Sequence, residues 1–148
     1  MTNYFQRQRL LLVERTCNMN PVIVFDGVCN FCNAAVNFVI DHDKSHYFRF
    51  AALQSDFGQQ IGAEHLEKLP PSGSIMLVDG NMVYYKSDAV LRILKHLSGW
   101  SWLYAGRWVP AVVRNWLYDV VARHRYLILG RRDACRIPTA QERSLFLT

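Results

Sequence analysis

The stretch that most constrains this chain is a run of four β-branched or aromatic residues, Val22-Ile23-Val24-Phe25, closed at once by Asp26-Gly27 and followed by Cys29-Asn30-Phe31-Cys32. A segment apolar at every position, rather than at alternate ones, is expected of a strand covered on both faces, which requires helices on both sides of a sheet. From Cys29 onward, Cys32, Ala35, Val36, Val39 and Ile40 recur at helical spacing while Asn33, Asn37 and Asp41 fall on the other side. An amphipathic helix is therefore expected to open at the two cysteines.

The remaining elements alternate in the manner of a small mixed α/β sheet. Tyr47 to Ala51 reads as a second strand with Phe48 and Phe50 on one face, and Gln54 to Ile61 as a short helix. Pro70-Pro71-Ser72-Gly73 breaks the chain before a third strand at Ile75 to Val78. Asp79-Gly80-Asn81 then turns it into Met82 to Tyr85, a β-hairpin. Ser87 is the expected N-cap of a helix with Asp88 in its first turn, a buried stripe of Val90, Leu91, Leu94 and Leu97, and a stop at Gly99. Pro110 suits the first turn of a last helix, whose stripe of Val109, Val112, Val113, Trp116, Leu117, Val120 and Val121 is expected to be core. Residues 1–19 show no sustained period and read as a flexible leader, so residues 20–148 are taken as a single domain including a C-terminal helical extension.

Length and composition agree: 148 residues, 51% hydrophobic and 20% charged, suffice for one buried core. No apolar stretch approaches the ~18–20 residues that a membrane-spanning helix needs. The Leu10-Leu11-Leu12-Val13 run ends at Glu14-Arg15, short of a secretory signal. Four cysteines, two of them in a Cys-x-x-Cys, are too few for a secreted disulfide scaffold and point to a reducing, cytoplasmic setting in which such a pair is catalytic or metal-binding. The net charge of +5 is carried by the tail, where residues 107–148 hold eight arginines against Asp119, Asp133 and Glu142.

A thiolate, not a thiol, attacks a disulfide, and an ordinary cysteine near pKa ~8.5 is mostly protonated at neutral pH. Cys29, at the junction of strand and helix, faces unpaired backbone N–H groups and the positive end of the helix dipole, and is assigned the nucleophile's role. Cys32 lies nearly one turn further on the same face and is assigned the resolving role. Its place on the apolar stripe predicts deeper burial and a higher pKa than for Cys29. Asp26 is a candidate proton acceptor for Cys32, or else a cap of the turn.

Together, Asp26, Cys29 and Cys32 form a DxxCxxC motif, and the chain resembles the DCC family of thiol-disulfide oxidoreductases named for it. The resemblance extends through Val24 to Asn33, Phe50-Ala51-Ala52-Leu53-Gln54-Ser55, Lys86-Ser87-Asp88-Ala89, and the tail from Arg125-Tyr126 through Gly130 to Asp133-Ala134-Cys135-Arg136-Ile137-Pro138. It implies a thioredoxin-like, specifically glutaredoxin-like, fold: a mixed four-stranded sheet flanked by helices, with the last amphipathic helix as an addition. Ser87, Asp88, Cys135 and Arg136 carry over as supporting positions, and Arg136 is expected to pack near the cysteines and favour the Cys29 thiolate. One departure is that Gly73-Ser74, not a proline, immediately precede Ile75.

The partners implied are protein or low-molecular-weight thiols and disulfides, with electrons drawn from a dithiol such as thioredoxin or from glutathione. No glycine-rich phosphate loop, Ser-His-Asp arrangement or nucleic-acid motif is present, so no cofactor and no nucleic acid are expected. The rival from another class is a zinc-binding module in which Cys29, Cys32, Cys135 and a histidine such as His124 form a tetrahedron. Against it stands the single Cys-x-x-Cys, since structural zinc sites usually show paired knuckles. A further alternative is a module using the basic, tryptophan-bearing C-terminal segment to meet a protein or a membrane surface, although the apolar stripe of the last helix is more simply read as core.

Overall fold

The computed structural model describes residues 20–64, 75–131 and 139–147. The elements run β1 (Val22–Phe25), α1 (Asn30–His42), β2 (Arg49–Ala52), α2 (Asp56–Glu64), β3 (Met76–Asp79), β4 (Met82–Tyr85), α3 (Lys86–His96), a 3-10 helix (Ser101–Trp108), α4 (Ala111–Leu129) and, after a short 3-10 turn, β5 (Phe146–Leu147). The sheet order is β4-β3-β1-β2-β5, with β2 parallel to β1 and β5, and β3 antiparallel to β1 and β4. Helices flank this mixed sheet in a thioredoxin-like arrangement, with one strand more than the four expected. The addition is β5, whose Phe146 ring lies 5.5 Å from that of Phe50 and 6.3 Å from that of Phe25.

The unbroken apolar run of β1 is explained by its central place. All four residues are 0–1% exposed, each burial contributing ~1.5–3 kcal/mol before entropic costs. Strand alternation sends Ile23 and Phe25 to a core shared with Val36 and Val39 of α1 and Ala89 and Ile93 of α3. Val22 and Val24 go to a second core with Ile61 of α2, Met76 and Val78. On that side the approach is close: a Cβ built on Gly58 would run into the Ala52 carbonyl oxygen. Ser55 caps α2 by accepting the Gly58 N–H at 3.1 Å. The hairpin turns through Gly80 at φ +57, as the Asp79-Gly80-Asn81 reading requires.

Helix α3 departs from expectation in two respects. It starts at Lys86, one residue before Ser87, with Tyr85 at the cap position, and its fully buried residues are Ser87, Ala89 and Ile93, with Leu97 just beyond its end. Val90, Leu91 and Leu94 are only half-buried because they flank that inner line. The Ser87 hydroxyl, instead of capping, donates to Asn115 Oδ1 at 2.5 Å, and Asp88 pairs with Arg114 at 2.7 Å. Asp88 does lie in the first turn, where the helix dipole favours it.

The largest correction concerns α4, which packs on α1 and α3. Its apolar stripe is not core: Val112, Val113, Trp116, Leu117, Val120 and Val121 are all exposed. The inward side is largely polar. Arg114, Asn115 and Asp119 bond to Asp88, Ser87 and Lys86 at the start of α3, and Tyr118 accepts the Ile75 N–H at 3.1 Å. The surface that receives α4 offers side-chain donors and acceptors there, so the polar face docked and the apolar one was left outward.

Candidate active site

The turn after β1 is held by its own polar groups. Asp26 Oδ1 accepts the Val28 N–H at 3.2 Å, and the Cys29 N–H reaches the Asp26 carbonyl at 3.3 Å. Gln54, just beyond β2, reads the same turn twice, donating to Asp26 Oδ1 at 2.9 Å and accepting from the Gly27 N–H at 3.0 Å. Asn33, expected on the polar side of α1, is buried instead. Its Nδ2 donates to the carbonyls of Gly27 and Cys29 at 2.9 and 3.0 Å, so the polar side chain closes the turn rather than meeting water.

Cys29 is the N-cap residue of α1, and its Sγ accepts the Cys32 backbone N–H at 3.3 Å. That places one sulfur on an orphan donor at the positive helix end. The burial order expected of the pair is reversed: Cys29 is fully buried and Cys32 is not. The cause is the segment after α4, where Arg131 forms an antiparallel backbone bridge to Cys29 and Asn30 Nδ2 donates to the Leu129 carbonyl at 2.8 Å.

Arg125, from the inner face of α4, ties the site together. Its Nη1 lies 3.4 Å from Cys32 Sγ, and its Nη2 lies 3.4 Å from Asp26 Oδ2 and 3.0 Å from the Tyr126 hydroxyl. Tyr126 donates to the same Asp26 oxygen at 2.5 Å. Burial works to raise the Asp26 pKa, but the hydrogen bonds from Tyr126, Gln54 and the Val28 N–H, with the Arg125 charge, outweigh it and hold the carboxyl below its ordinary value. Burial and the bond to Asp26 keep the Tyr126 phenol above its own. The Cys32 thiol is pushed up to about 12, first by burial, then by the hydrogen bond and charge of Cys29; Arg125 pulls it down and Asp26 pushes it further up. Beside Cys32 opens a cavity of about 370 Å³, largely apolar, with Phe31, Ala35, Ile75, Leu117 and Arg125 in its wall.

The family model for DCC1-like thiol-disulfide oxidoreductases matches residues 23–131, from within β1 to Arg131. The chain belongs to this family. It is 40% identical over 119 residues to a chloroplastic DCC family protein of Arabidopsis thaliana, covering 79% of this chain and 69% of the relative. It is 34% identical over 129 residues to the uncharacterized protein YuxK of Bacillus subtilis, covering 86% of this chain and 94% of that one. No solved structure matches the chain.

Within this family member, Asp26, Cys29 and Cys32 stand around one turn, with Asp26 and Cys32 joined through Arg125. Ser87 and Asp88 face α4 rather than the cysteines, and Cys135 and Arg136 lie outside the described residues, as does Gly73-Ser74. Among the described residues, the cation at the dithiol is Arg125. Sequence reasoning gave it no role, and its contacts to Cys32 and Asp26 span 93 and 99 residues, so no local pattern announces them. The one available signal was its place, with Tyr126, in the segment that resembles the family. Gln54 had a similar signal. Among the described residues, no three His, Cys, Asp or Glu side chains gather as a metal site, and the His124 ring meets the Val120 carbonyl of its own helix at 2.7 Å.

Proposed function

We propose that this oxidoreductase exchanges dithiol for disulfide at Cys29 and Cys32 through a mixed disulfide. The observation that carries the reading is the unequal support of two sulfurs one helical turn apart: Cys29 Sγ accepts a helix-terminal N–H, and Cys32 Sγ lies against a buried guanidinium. The Cys29 thiolate attacks a substrate disulfide, forming one S–S bond and expelling one thiolate. Cys32 then loses its proton and attacks Cys29 Sγ, releasing the second thiolate and leaving Cys29–Cys32 as a disulfide. Two electrons pass from the pair to the substrate, and a dithiol protein or glutathione returns them.

The electrostatics order these steps. While Cys29 is anionic, its charge and hydrogen bond keep Cys32 protonated; once Cys29 is in the mixed disulfide both influences end and Arg125 remains. Asp26, ionised and already accepting from Val28, Gln54, Arg125 and Tyr126, is a positioning residue that aims Arg125 at Cys32. Because Cys29 is covered, its attack follows opening of the Cys29–Arg131 bridge. The apolar cavity beside Cys32 receives the side chain next to the substrate's disulfide. We assign this activity to the cytoplasm, where a reducing pool regenerates the dithiol.

The test equilibrates the purified protein in graded dithiol/disulfide buffers, traps free thiols by alkylation and locates them by mass spectrometry. A reversible two-electron transition confined to Cys29 and Cys32 is expected. If both cysteines stay alkylatable across the whole series, the proposal fails.

A further inference from the structure

A helix on a water-soluble domain normally turns its apolar stripe inward. On α4 the stripe points away from the sheet, with Val112 82%, Trp116 63% and Leu127 82% exposed, and Trp108 just before the helix is 80% exposed. Contiguous exposed apolar surface of this kind marks a contact site. The charges around it indicate the partner. The single acid of α4, Asp119, is held by Lys86, whereas among the described residues Arg107, Arg123 and Arg131 make no ion pair.

We propose that the outward face of α4 docks on an anionic lipid bilayer, the helix lying in the plane of the headgroups with Trp116 and its valine and leucine neighbours in the interface and the arginines against lipid phosphates. Helix geometry permits this posture: 19 residues give a rod of about 28 Å at ~1.5 Å per residue. Tryptophan and arginine beside an aliphatic stripe are the residues that hold such interfacial helices. No helix among the described residues is long and apolar enough to cross a membrane, so the contact is peripheral. A twofold pairing of this face with a second copy is disfavoured, because it would bring two copies of Arg123 onto one apolar strip with no free carboxylate of α4 to meet them. Leu117 and Val121 belong to this exposed face and also line the cavity beside Cys32, so the docked surface adjoins that cavity. The proposal does not rest on the redox reading.

The test is sedimentation of the full chain with vesicles of phosphatidylcholine alone and of phosphatidylcholine and phosphatidylglycerol in equal parts, read together with tryptophan emission and, in parallel, analytical ultracentrifugation without lipid. Expected are binding to the anionic vesicles with a blue shift and release by salt. Arg123→Gln should weaken binding about fivefold, and Trp116→Glu by about tenfold or more. Both positions are exposed, and circular dichroism checks that each variant is folded. Equal binding to neutral vesicles, or no binding to either kind, overturns the proposal. A dimer seen without lipid and lost in Val112→Glu, with no vesicle binding, assigns the face to a second copy instead.

Discussion

Arg125→Met keeps most of the side-chain volume at the centre of the site and removes the charge. Asp26 would lose its cation but keep the bonds from Tyr126, Gln54 and the Val28 N–H. The stability cost should therefore fall below the ~3–5 kcal/mol of a stranded buried charge, nearer the ~1–3 kcal/mol of a lost bond to a charged group. The larger consequence is at Cys32, whose Sγ lies 3.4 Å from the guanidinium. A cation at that range lowers an acid's pKa by ~1–3. Taking ~2, the Cys32 thiolate at a given pH falls ~100-fold; a more basic thiolate is also more nucleophilic with a slope of ~0.4–0.5, which recovers nearly tenfold of the loss. Resolution of the mixed disulfide should slow by roughly tenfold.

The assay is single turnover with a small chromogenic disulfide, in which capture by Cys29 releases the first thiol and attack by Cys32 the second. The second phase of Arg125→Met should be about tenfold slower near neutrality, with its pH-rate curve displaced to higher pH, and Arg125→Lys should restore most of the rate. A second phase slowed equally at every pH would mean a distorted site rather than a lost charge. An unchanged curve would refute the assignment of Arg125.

Cys29→Ala removes the hydrogen bond and charge that help push Cys32 up to about 12 but leaves its burial, so the midpoint of Cys32 alkylation against pH should fall while staying above that of an ordinary thiol; an unmoved midpoint contradicts the proposed order of steps. Asn30→Ala cuts the bond to the Leu129 carbonyl beside the Arg131 bridge, and at ~0.5–1.5 kcal/mol for one hydrogen bond the Cys29 alkylation rate should rise about two- to tenfold; no increase would mean that the bridge is not what covers Cys29. Gly58→Ala sets a Cβ against the Ala52 carbonyl oxygen and should cost ~1–3 kcal/mol or more in urea unfolding, against almost none for Gly62→Ala, whose nearest neighbour stands 3.8 Å away. Asp26, held below its ordinary carboxyl value, contributes stability that is present above pH ~4 and lost as pH falls through its folded value. Asp26→Asn should flatten that acid limb of the unfolding profile; an identical limb would show that the carboxylate gains nothing from its partners.

The part of the site legible in sequence was the part built within a few residues. Val22 to Phe25 is apolar throughout because sheet neighbours and two cores enclose it, and Cys29 caps α1 because the strand ends four residues earlier. Patterns fail where an element is too short or a side chain acts alone. β5 has two residues, less than one full alternation, and Asn33 looks like any polar residue on a helix until the carbonyls of Gly27 and Cys29 are seen above it. The cover over Cys29 was equally hidden, because Arg131 stands about a hundred residues away and neither residue type announces the bridge.

α4 shows a further limit of periodicity. The spacing of Val112, Val113, Trp116, Leu117 and Val120 defines a helix with two unlike faces, but the same spacing is compatible with either face turned inward. The direction was settled by the receiving surface, where Lys86, Ser87 and Asp88 cluster at the start of α3 and Asp26 and Cys32 stand at the turn after β1. With the apolar face inward, those groups would be buried without the partners Asp119, Asn115, Arg114 and Arg125, at ~1–3 kcal/mol for each unsatisfied group and more for the charged ones. With the polar face inward, each of them is paired and the apolar side chains stay in water, which is costly only until a second surface covers them. The orientation that completes the dithiol's electrostatics thus also creates the exposed apolar face.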